Sequence, residues 1–194
     1  AIAGVFVGVS AKGAWDWLVK GNASMEQYQQ TLSIVLKDSQ KAADTLAWAQ
    51  KLAATTPFEI PEIVEATTRL AAYGLKAQDV LGTTGDMAAA MGKPLMQAVE
   101  AVADAQTGEL ERLKEFGITK KMLADKANEY YKQELVNSKG QITDMELLND
   151  TLFRLMKDRY DGAMEAQSTT LDGMLSNLRD WLGTAGRMFG EGAF

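Results

Sequence analysis

The stretch Thr55-Thr-Pro-Phe-Glu-Ile-Pro-Glu-Ile63 opens the part of the chain that decides its fold. Pro57 and Pro61 each lack a backbone N–H and restrict the residue before them, so one continuous helix cannot pass through this stretch. We therefore predict a turn at Thr56 to Ile60. A new helix follows, with Pro61 in its first turn, where proline is well tolerated, and with Gly74 at its end.

Short helical patterns separated by glycines follow this helix as far as Gly117. Residues 77–91 predict a helical piece that Gly82 and Gly85 interrupt and that Gly92 ends. The apolar positions that mark the buried faces of the next two helices are Leu95, Ala98, Val99 and Val102, and then Leu110, Leu113 and Phe116. This spacing of three and four residues is typical of helices that bury one side.

Helical periodicity also dominates on both sides of this region. Upstream, Ser24-Met-Glu-Gln27 matches a capping box, which predicts a helix from Met25 toward Lys37. Residues 38–54 are rich in good helix formers and predict a second helix. Downstream, Thr143-Asp-Met-Glu146 matches another capping box and predicts a helix toward Tyr160.

Two segments near the end of the chain complete the predicted fold. Residues 130–143 fit either a small β-hairpin with a turn at Asn137 to Gly140, or a helix end followed by a loop. A final helix is predicted from apolar residues at helical spacing, namely Leu171, Met174, Leu175, Leu178, Trp181 and Leu182. We therefore predict an all-α fold of short-to-medium helices joined by glycine and proline turns.

The composition shift along the chain predicts three parts. Residues 1–23 form an apolar N-terminal segment, interpreted as a truncated helix or interface piece; residues 24–182 form a helical module; residues 183–194 form a glycine-rich flexible tail. The apolar run is too short to span a bilayer and lacks the basic region of a secretory signal. Because the sequence begins at Ala1 without an initiator methionine, we expect it to be a piece of a longer protein.

The composition also limits the reactions that the chain could catalyse and the ligands that it could bind. The 194-residue chain contains no cysteine and no histidine, which removes the thiol nucleophile, the commonest general base and the usual metal ligands. It carries 20 basic and 26 acidic residues, a formal net charge of -6, whereas nucleic-acid binding favours a basic surface. We therefore expect no enzyme activity, no metal, no cofactor and no direct binding to nucleic acid.

The densest positive cluster supports this expectation. Lys120, Lys121 and Lys126 alternate with Asp125 and Glu129 at helical spacing, which is typical of a solvated helix face rather than of a phosphate-binding patch. The ten methionines are interpreted mainly as adaptable core fillers, with adaptable contacts to a partner as the alternative.

Several acidic residues are catalytic candidates by residue type. Glu59, Glu62 and Glu65 suggest a paired-carboxylate site of the cell-wall-cleaving kind, but acidic residues in a first helical turn are already explained by the helix dipole. Glu100 and Asp104 form a like-charged pair four residues apart, which favours solvent exposure. A second acidic group lacks the spacing of a calcium loop: Asp144, Glu146, Asp150 and Asp158.

The glycines near the C-terminal end are candidates for a nucleotide-binding motif. Neither a dinucleotide fingerprint nor a phosphate loop fits their spacing, so chain flexibility is the better interpretation. These glycines are Gly183, Gly186, Gly190 and Gly192.

The order of several short motifs is more specific than any one of them. In chain order they are Thr56-Pro-Phe-Glu59, Leu70 with Tyr73-Gly-Leu75, Gly85-Asp-Met-Ala-Ala-Ala-Met-Gly-Lys93, Asp104-Ala-Gln-Thr-Gly-Glu-Leu-Glu-Arg-Leu-Lys-Glu-Phe-Gly-Ile118, Gly162-Ala-Met-Glu165, Ser168-Thr-Thr170 and Gly173-Met-Leu-Ser-Asn-Leu-Arg-Asp180. With these motifs the chain resembles the conserved core of phage and prophage tail tape-measure proteins.

The resemblance implies a structural role in a virion. Tape-measure proteins are long helical chains in the tail lumen whose length sets the length of the tube, and they leave the tail ahead of the DNA at infection. Their partners are tail-tube and tail-tip proteins and tail-assembly chaperones, and self-association is expected too. The resemblance implies the host cytoplasm as the place of assembly and supplies no catalytic residues.

This sequence departs from the full family pattern. It has no long heptad region, no strong transmembrane span and no peptidoglycan-cleaving domain, so we expect this module not to measure length by itself. Membrane contact is expected only in the full-length protein. Two alternatives stay open: a membrane-active module acting through the N-terminal segment, where Trp15 and Trp17 are candidate anchors, and a carboxylate-based cell-wall-cleaving enzyme.

Overall fold

The structure is a computed structural model that describes residues 11–170 and residue 180, with side chains from residue 24 onward. This part of the chain is all-α, as predicted. The α-helices are α1 (Ala11–Leu36), α2 (Ser39–Ala53), α3 (Ile60–Ala72), α4 (Ala77–Ala90), α5 (Leu95–Ala105), α6 (Lys120–Tyr131), α7 (Met145–Tyr160) and α8 (Ala163–Ser168). A 3₁₀ helix at Arg112–Phe116 lies between α5 and α6.

Helix α1 starts earlier than predicted. It begins at Ala11 and runs without a break through Gly21 and Ser24, so the capping box predicted at Ser24 is wrong as a helix start. Inside a helix each N–H already bonds the carbonyl four residues earlier, which leaves Ser24 no terminal donor to cap. The predicted boundary at residue 23 falls inside α1, and the division into three parts stays a prediction.

A tight connection makes α1 and α2 an antiparallel pair. Lys37 has a left-handed backbone (φ 54°), and Asp38 caps α2 by accepting from the N–H groups of Gln40 and Lys41, both at 3.0 Å. The backbone hydrogen bond from Lys41 is the main cause that lowers the pKa of Asp38 below its ordinary value. Farther along, Gln50 Nε2 lies 3.5 Å from Met25 Sδ, which places these two helices side by side.

The proline turn is confirmed, but the predicted glycine interruptions are wrong. α3 begins at Ile60 with Pro61 in its first turn, and Gly74 beyond its end has a left-handed backbone (φ 76°). α4, by contrast, runs unbroken through Gly82 and Gly85. A glycine inside a helix costs only about 1 kcal/mol relative to alanine, and the eight buried residues of α4 outweigh this cost.

Helix α5 lies at the centre of the core. Its predicted apolar face is confirmed, and its buried residues are Leu95, Ala98, Val99, Ala101, Val102, Ala103 and Ala105. Most of these side chains are small, so α3 and α4 can both pack close to α5. α4 in turn contacts α7 and α8, and α7 pairs with α6.

Residues 130–143 form the end of a helix and a loop, which was the second of the two predictions. Tyr130 and Tyr131 belong to α6, and the loop closes with one antiparallel bridge between Val136 and Ile142. Asn137 Oδ1 accepts from two N–H groups within the loop, which shapes the predicted turn. The described residues contain no β-strand, so the hairpin prediction is wrong.

The second capping box lies one residue away from its predicted position. Asp144 caps α7 by accepting from the N–H of Leu147 at 3.0 Å. Thr143, the predicted cap, instead uses its hydroxyl to donate to the carbonyl of Leu135 at 3.1 Å. Asp144 is the cap of α7 because the hydroxyl of Thr143 is already bonded to the preceding loop.

Two predictions concern the ends of the chain. The predicted helix over 171–182 and the glycine-rich tail at 183–194 lie outside the described residues, apart from Asp180, which is helical. The same holds for residues 1–10 of the N-terminal segment. Among the helices that the structure describes, none combines the length and the apolar character that a membrane crossing requires.

Candidate functional site

The three glutamates proposed as a carboxylate site belong to the start of α3. Glu62 Oε2 accepts from the backbone N–H of Glu59 at 2.9 Å, which is half of a capping box. Glu59, Glu62 and Glu65 are all exposed on the surface. A catalytic pair needs one carboxyl in a desolvated cleft, so the helix-cap interpretation is the better one.

The like-charged pair Glu100 and Asp104 is held by a cation that the sequence analysis did not assign to it. Arg112 bonds Asp104 Oδ2 through Nε at 2.8 Å and Glu100 Oε2 through its terminal nitrogen. The two carboxylates are 29% and 26% exposed, so both are in contact with solvent but partly covered. The planar guanidinium can serve two acceptors at once, and this clamp ties the 3₁₀ helix to α5.

The acidic residues of the second group from the sequence analysis do not come together in one site. Asp144 caps α7, Asp158 accepts from Tyr130, and Glu146 and Asp150 are exposed. In the part of the chain that the structure describes, no three acidic side chains are grouped as a metal site requires.

The Glu-Phe-Gly motif at the end of the 3₁₀ helix is held by the end of α7. Tyr160 donates its hydroxyl proton to the carbonyl of Phe116, and Arg159 donates to the carbonyl of Gly117 at 2.9 Å. Gly117 has a left-handed backbone (φ 68°), which an L side chain rarely adopts. Burial raises the pKa of Tyr160 above its ordinary value.

A second contact joins two motifs that are far apart in sequence. Asp86 in α4, which is 9% exposed, accepts from the N–H of Met164 at 2.9 Å. The side chain of Met164 covers Gly85, where an added Cβ would lie 2.4 Å from its Sδ and 3.2 Å from Phe58 Cε2. The glycine leaves room for Met164 and Phe58 to meet on α4, and the aspartate satisfies a free donor of α8. We call this contact the Gly85 seat.

An aromatic and charged cluster joins α6 to α7. Tyr130 donates to Asp158 Oδ2 at 2.6 Å, and the guanidinium carbon of Arg154 lies 4.1 Å from the centre of its ring. Desolvation, followed by the hydrogen bond to Asp158, raises the pKa of Tyr130 to about 12. Tyr131 stands edge-on to Tyr130 with ring centres 6.0 Å apart, so the cluster fixes the pairing of the two helices.

The basic cluster on α6 is an exposed helix face, as predicted. Lys121 pairs with Asp125 at 2.6 Å and Lys126 with Glu129 at 2.7 Å, both within one turn of helix. Lys120 donates to the carbonyl of Gly140. Exposed pairs of this kind contribute little stability, about 0.3–0.5 kcal/mol each.

The methionines divide between the two interpretations. Met87 and Met156 are fully buried, which agrees with core packing. Met91 and Met145 are 40% and 36% exposed, so these two remain candidates for partner contacts.

A surface cleft of about 520 Å³ lies where the end of α1 meets α2, α3 and the start of α4. Its walls include Lys41, Asp44 and Lys76 beside apolar residues such as Leu36 and Leu75. These charged groups are of mixed sign. The arrangement therefore favours no single ligand.

Sequence reasoning missed the residues that join the motifs. Arg112 and Asp86 both belong to motifs of the sequence, but their partners lie in other helices. Arg112 binds two carboxylates of α5, and Asp86 binds the backbone of α8. The usable signal for Asp86 is its position between a glycine and the apolar run Met87-Ala-Ala-Ala90, which is unusual for a carboxylate. Arg159 and Tyr160 carried no local signal, because they act on backbone carbonyls more than forty residues away.

The fold and these contacts define an all-α structural scaffold, in which the polar groups cap helices and fasten one helix to another. A family model described as tape measure protein matches residues 18–191. Because this match covers most of the chain, the protein belongs to the tape measure protein family, a family of structural phage tail components. Comparisons with curated proteins and with solved structures found no match.

Proposed function

We propose that this chain is the folded core module of a longer tape measure protein and that it acts in phage tail assembly. The observation that carries the proposal is the family match over residues 18–191, within which two of the motifs meet, because Asp86 accepts from the N–H of Met164. The Gly85 seat and the carbonyls held by Arg159 and Tyr160 maintain a defined shape. A defined shape is what a docking partner needs.

The role of this module in length determination is indirect. A chain that measures length must be extended, whereas these helices fold back on one another, and the longest of them, α1 with 26 residues, is only about 39 Å long. The packed helices therefore anchor the protein or nucleate tail assembly, whereas extended parts of the full-length protein set the length of the tail. Tail-tube and tail-tip proteins, assembly chaperones and a second copy of the chain are the proposed partners.

The net charge of -6 fits a place in the tail lumen. A chain with this charge repels the phosphate backbone, so it would not hold the DNA that follows it during ejection. The proposal thus places the protein in the host cytoplasm during assembly and in the tail lumen of the virion afterwards.

Point variants in the phage that encodes the protein test the assembly role. Val102 is fully buried in α5 and Gln97 is exposed on the same helix, so they form a matched pair. We expect Val102→Asp to abolish tails in electron micrographs of lysates, because a buried unpaired charge unfolds the core. Gln97→Asp is expected to leave tails normal. Normal tail number and length with Val102→Asp would overturn the proposal.

An in-frame deletion of residues 24–182 separates assembly from length measurement. If the module anchors assembly, the deletion gives no tails or tails without a defined length. If these residues instead act as an extended helical part of the ruler, tails become uniformly shorter by roughly 240 Å, at 1.5 Å per helical residue. The second outcome would contradict the proposed anchoring role.

A further inference from the structure

Met164 is the residue through which α8 is attached to α4. Its side chain is the buried one of α8, and its Sδ lies in the Gly85 seat beside Phe58. Its backbone N–H donates to Asp86 Oδ1 at 2.9 Å. Because the apolar contact and the hydrogen bond belong to the same residue, a chemical change at the thioether of Met164 affects the whole attachment.

Helix α8 depends on this attachment. It is six residues long, and Gly162 before it has a left-handed backbone (φ 80°). Three of its six residues are exposed, namely Glu165, Ala166 and Gln167. A helix this short is marginal in water unless tertiary packing holds it. Loss of Met164 from the Gly85 seat therefore opens α8.

The methionines differ in what oxidation would do to them. The chain contains no cysteine, so all its sulfur is present as thioethers, which oxidants convert to sulfoxides. Met91 is exposed and carries its sulfur near water, where a sulfoxide is tolerated, whereas Met87 and Met156 are shielded in the core. Met164 is 9% exposed and lies in the helix with the fewest buried residues to release, so it combines access with a contact that oxidation breaks.

We propose that Met164 is an oxidation site and that its conversion to the sulfoxide releases α8 from α4. A lone pair of Sδ attacks one oxygen of hydrogen peroxide, the O–O bond breaks and an S–O bond forms. The proton of the transferred oxygen passes to the departing oxygen, which leaves as water. The sulfur is oxidised and the peroxide is reduced, so the step needs no further reactant. Methionine sulfoxide reductases reverse it.

The sulfoxide does not fit the Gly85 seat. An added Cβ on Gly85 would lie 2.4 Å from Met164 Sδ, so the sulfur sits directly against the backbone of α4. The new oxygen accepts hydrogen bonds, and the carboxylate of Asp86 at the seat is an acceptor as well. Because a buried acceptor without a donor costs free energy, the oxidised side chain moves into water.

Treatment of the full chain with hydrogen peroxide tests the proposal. Mass spectrometry of peptides follows oxidation at each methionine, and hydrogen exchange follows the opening of each helix. We expect Met91 and Met145 to be oxidised first, Met164 next, and Met87 and Met156 last. In chains oxidised at Met164, exchange in α8 should accelerate about tenfold or more, because burial of this side chain no longer holds the helix. Exchange in α5 should stay slow.

Substitutions separate Met164 from the other methionines. Met164→Leu keeps an apolar side chain of similar volume in the seat, so peroxide should leave its α8 exchange unchanged. The matched control is Met91→Leu with Met145→Leu, which removes two exposed thioethers; in this variant peroxide should still open α8. Met164→Gln places a polar side chain in the seat and should open α8 without peroxide.

Reversal completes the test. Methionine sulfoxide reductase with a thiol reductant should restore slow exchange in α8, and continued fast exchange after reduction of Met164 would overturn the proposal. Slow α8 exchange in chains fully oxidised at Met164, or peroxide-induced opening in Met164→Leu, would overturn it too. An equal loss of protection in α5 would show general unfolding instead of release of α8. None of these results bears on whether the phage needs the module for tail assembly.

Discussion

At the scale of single residues, Thr151 is a buried polar group that the fold does not satisfy. Its Oγ1 is fully buried in α7 and finds no hydrogen-bond partner in the described structure. A buried hydroxyl without a partner destabilises a protein relative to an apolar group of the same shape. Thr84 is its natural counterpart, because it is equally buried but donates to the carbonyl of Val80 at 2.9 Å.

This difference predicts opposite effects of the same substitution. Thr151→Val should raise the free energy of unfolding by about 1 kcal/mol, because it removes an unsatisfied group and keeps the β-branched shape. Thr84→Val should lower it by a similar amount, because it removes a hydrogen bond. Urea denaturation measures both. A loss of stability in Thr151→Val would indicate a partner that the described residues do not contain.

The raised pKa of Tyr130 predicts that the protein loses stability at alkaline pH. Its folded pKa of about 12 lies above the ordinary value of about 10, so the folded state favours the neutral phenol. This contribution is complete below about pH 10 and is lost as the pH rises toward 12. The melting temperature should therefore fall more steeply over this range in the natural chain than in Tyr130→Phe. Parallel curves for the two proteins would contradict the assignment.

At the scale of helices, the Gly85 seat decides how α8 is held. Met164 is the buried residue of α8, and its attachment depends on the absence of a side chain at Gly85. Gly82 lies one turn earlier on α4, and an added Cβ there has open space around it. The same substitution at these two positions therefore separates loss of the seat from a general effect on α4.

Gly85→Leu should destabilise the protein by about 2 kcal/mol, because the new side chain and Met164 cannot share the seat. Gly82→Leu should be neutral or slightly stabilising, because leucine is a better helix former than glycine. Thermal denaturation gives the difference, and hydrogen exchange of α8 shows where it arises. Equal effects at both positions would argue against the seat as the attachment point.

Substitutions of Glu62, which helps to cap helix α3, test the hypothesis of a carboxylate-based cell-wall-cleaving enzyme. Glu62→Ala should lower stability by about 1 kcal/mol through loss of the cap, whereas Glu62→Gln keeps an acceptor and should cost less. Exposed Glu65→Ala on the same helix serves as the control. In a turbidity assay with peptidoglycan, the natural protein should show no clearing that depends on Glu62. Clearing that disappears in Glu62→Gln would revive the carboxylate-site hypothesis.

At the scale of the whole molecule, burial predicts an uneven distribution of stability. α5 contributes seven buried residues, whereas α8 contributes one. Local opening is easiest where few apolar contacts must break. Native-state hydrogen exchange should therefore be slowest in α5 and fastest in α8, with α6 between them. Exchange in α8 as slow as in α5 would mean that the bundle opens only as one unit.

Most of the secondary structure could be predicted from the sequence because its signals are local. Pro57 and Pro61 remove backbone donors wherever they stand, and the apolar spacing of α5 marks its buried face. The errors fell where local rules compete with packing. α4 continues through Gly82 and Gly85, and α1 continues through Ser24, because tertiary contacts outweigh weak local preferences.

Taken by itself, the sequence determined that this protein is an all-α member of the tape measure family and lacks thiol and imidazole chemistry, since these properties depend on composition and motif order. Only the tertiary structure decided how its motifs act together. Asp86 meets Met164, and Arg159 meets Gly117, across 78 and 42 residues of chain. Such partners are chosen by the packing of helices in three dimensions, which no local pattern encodes.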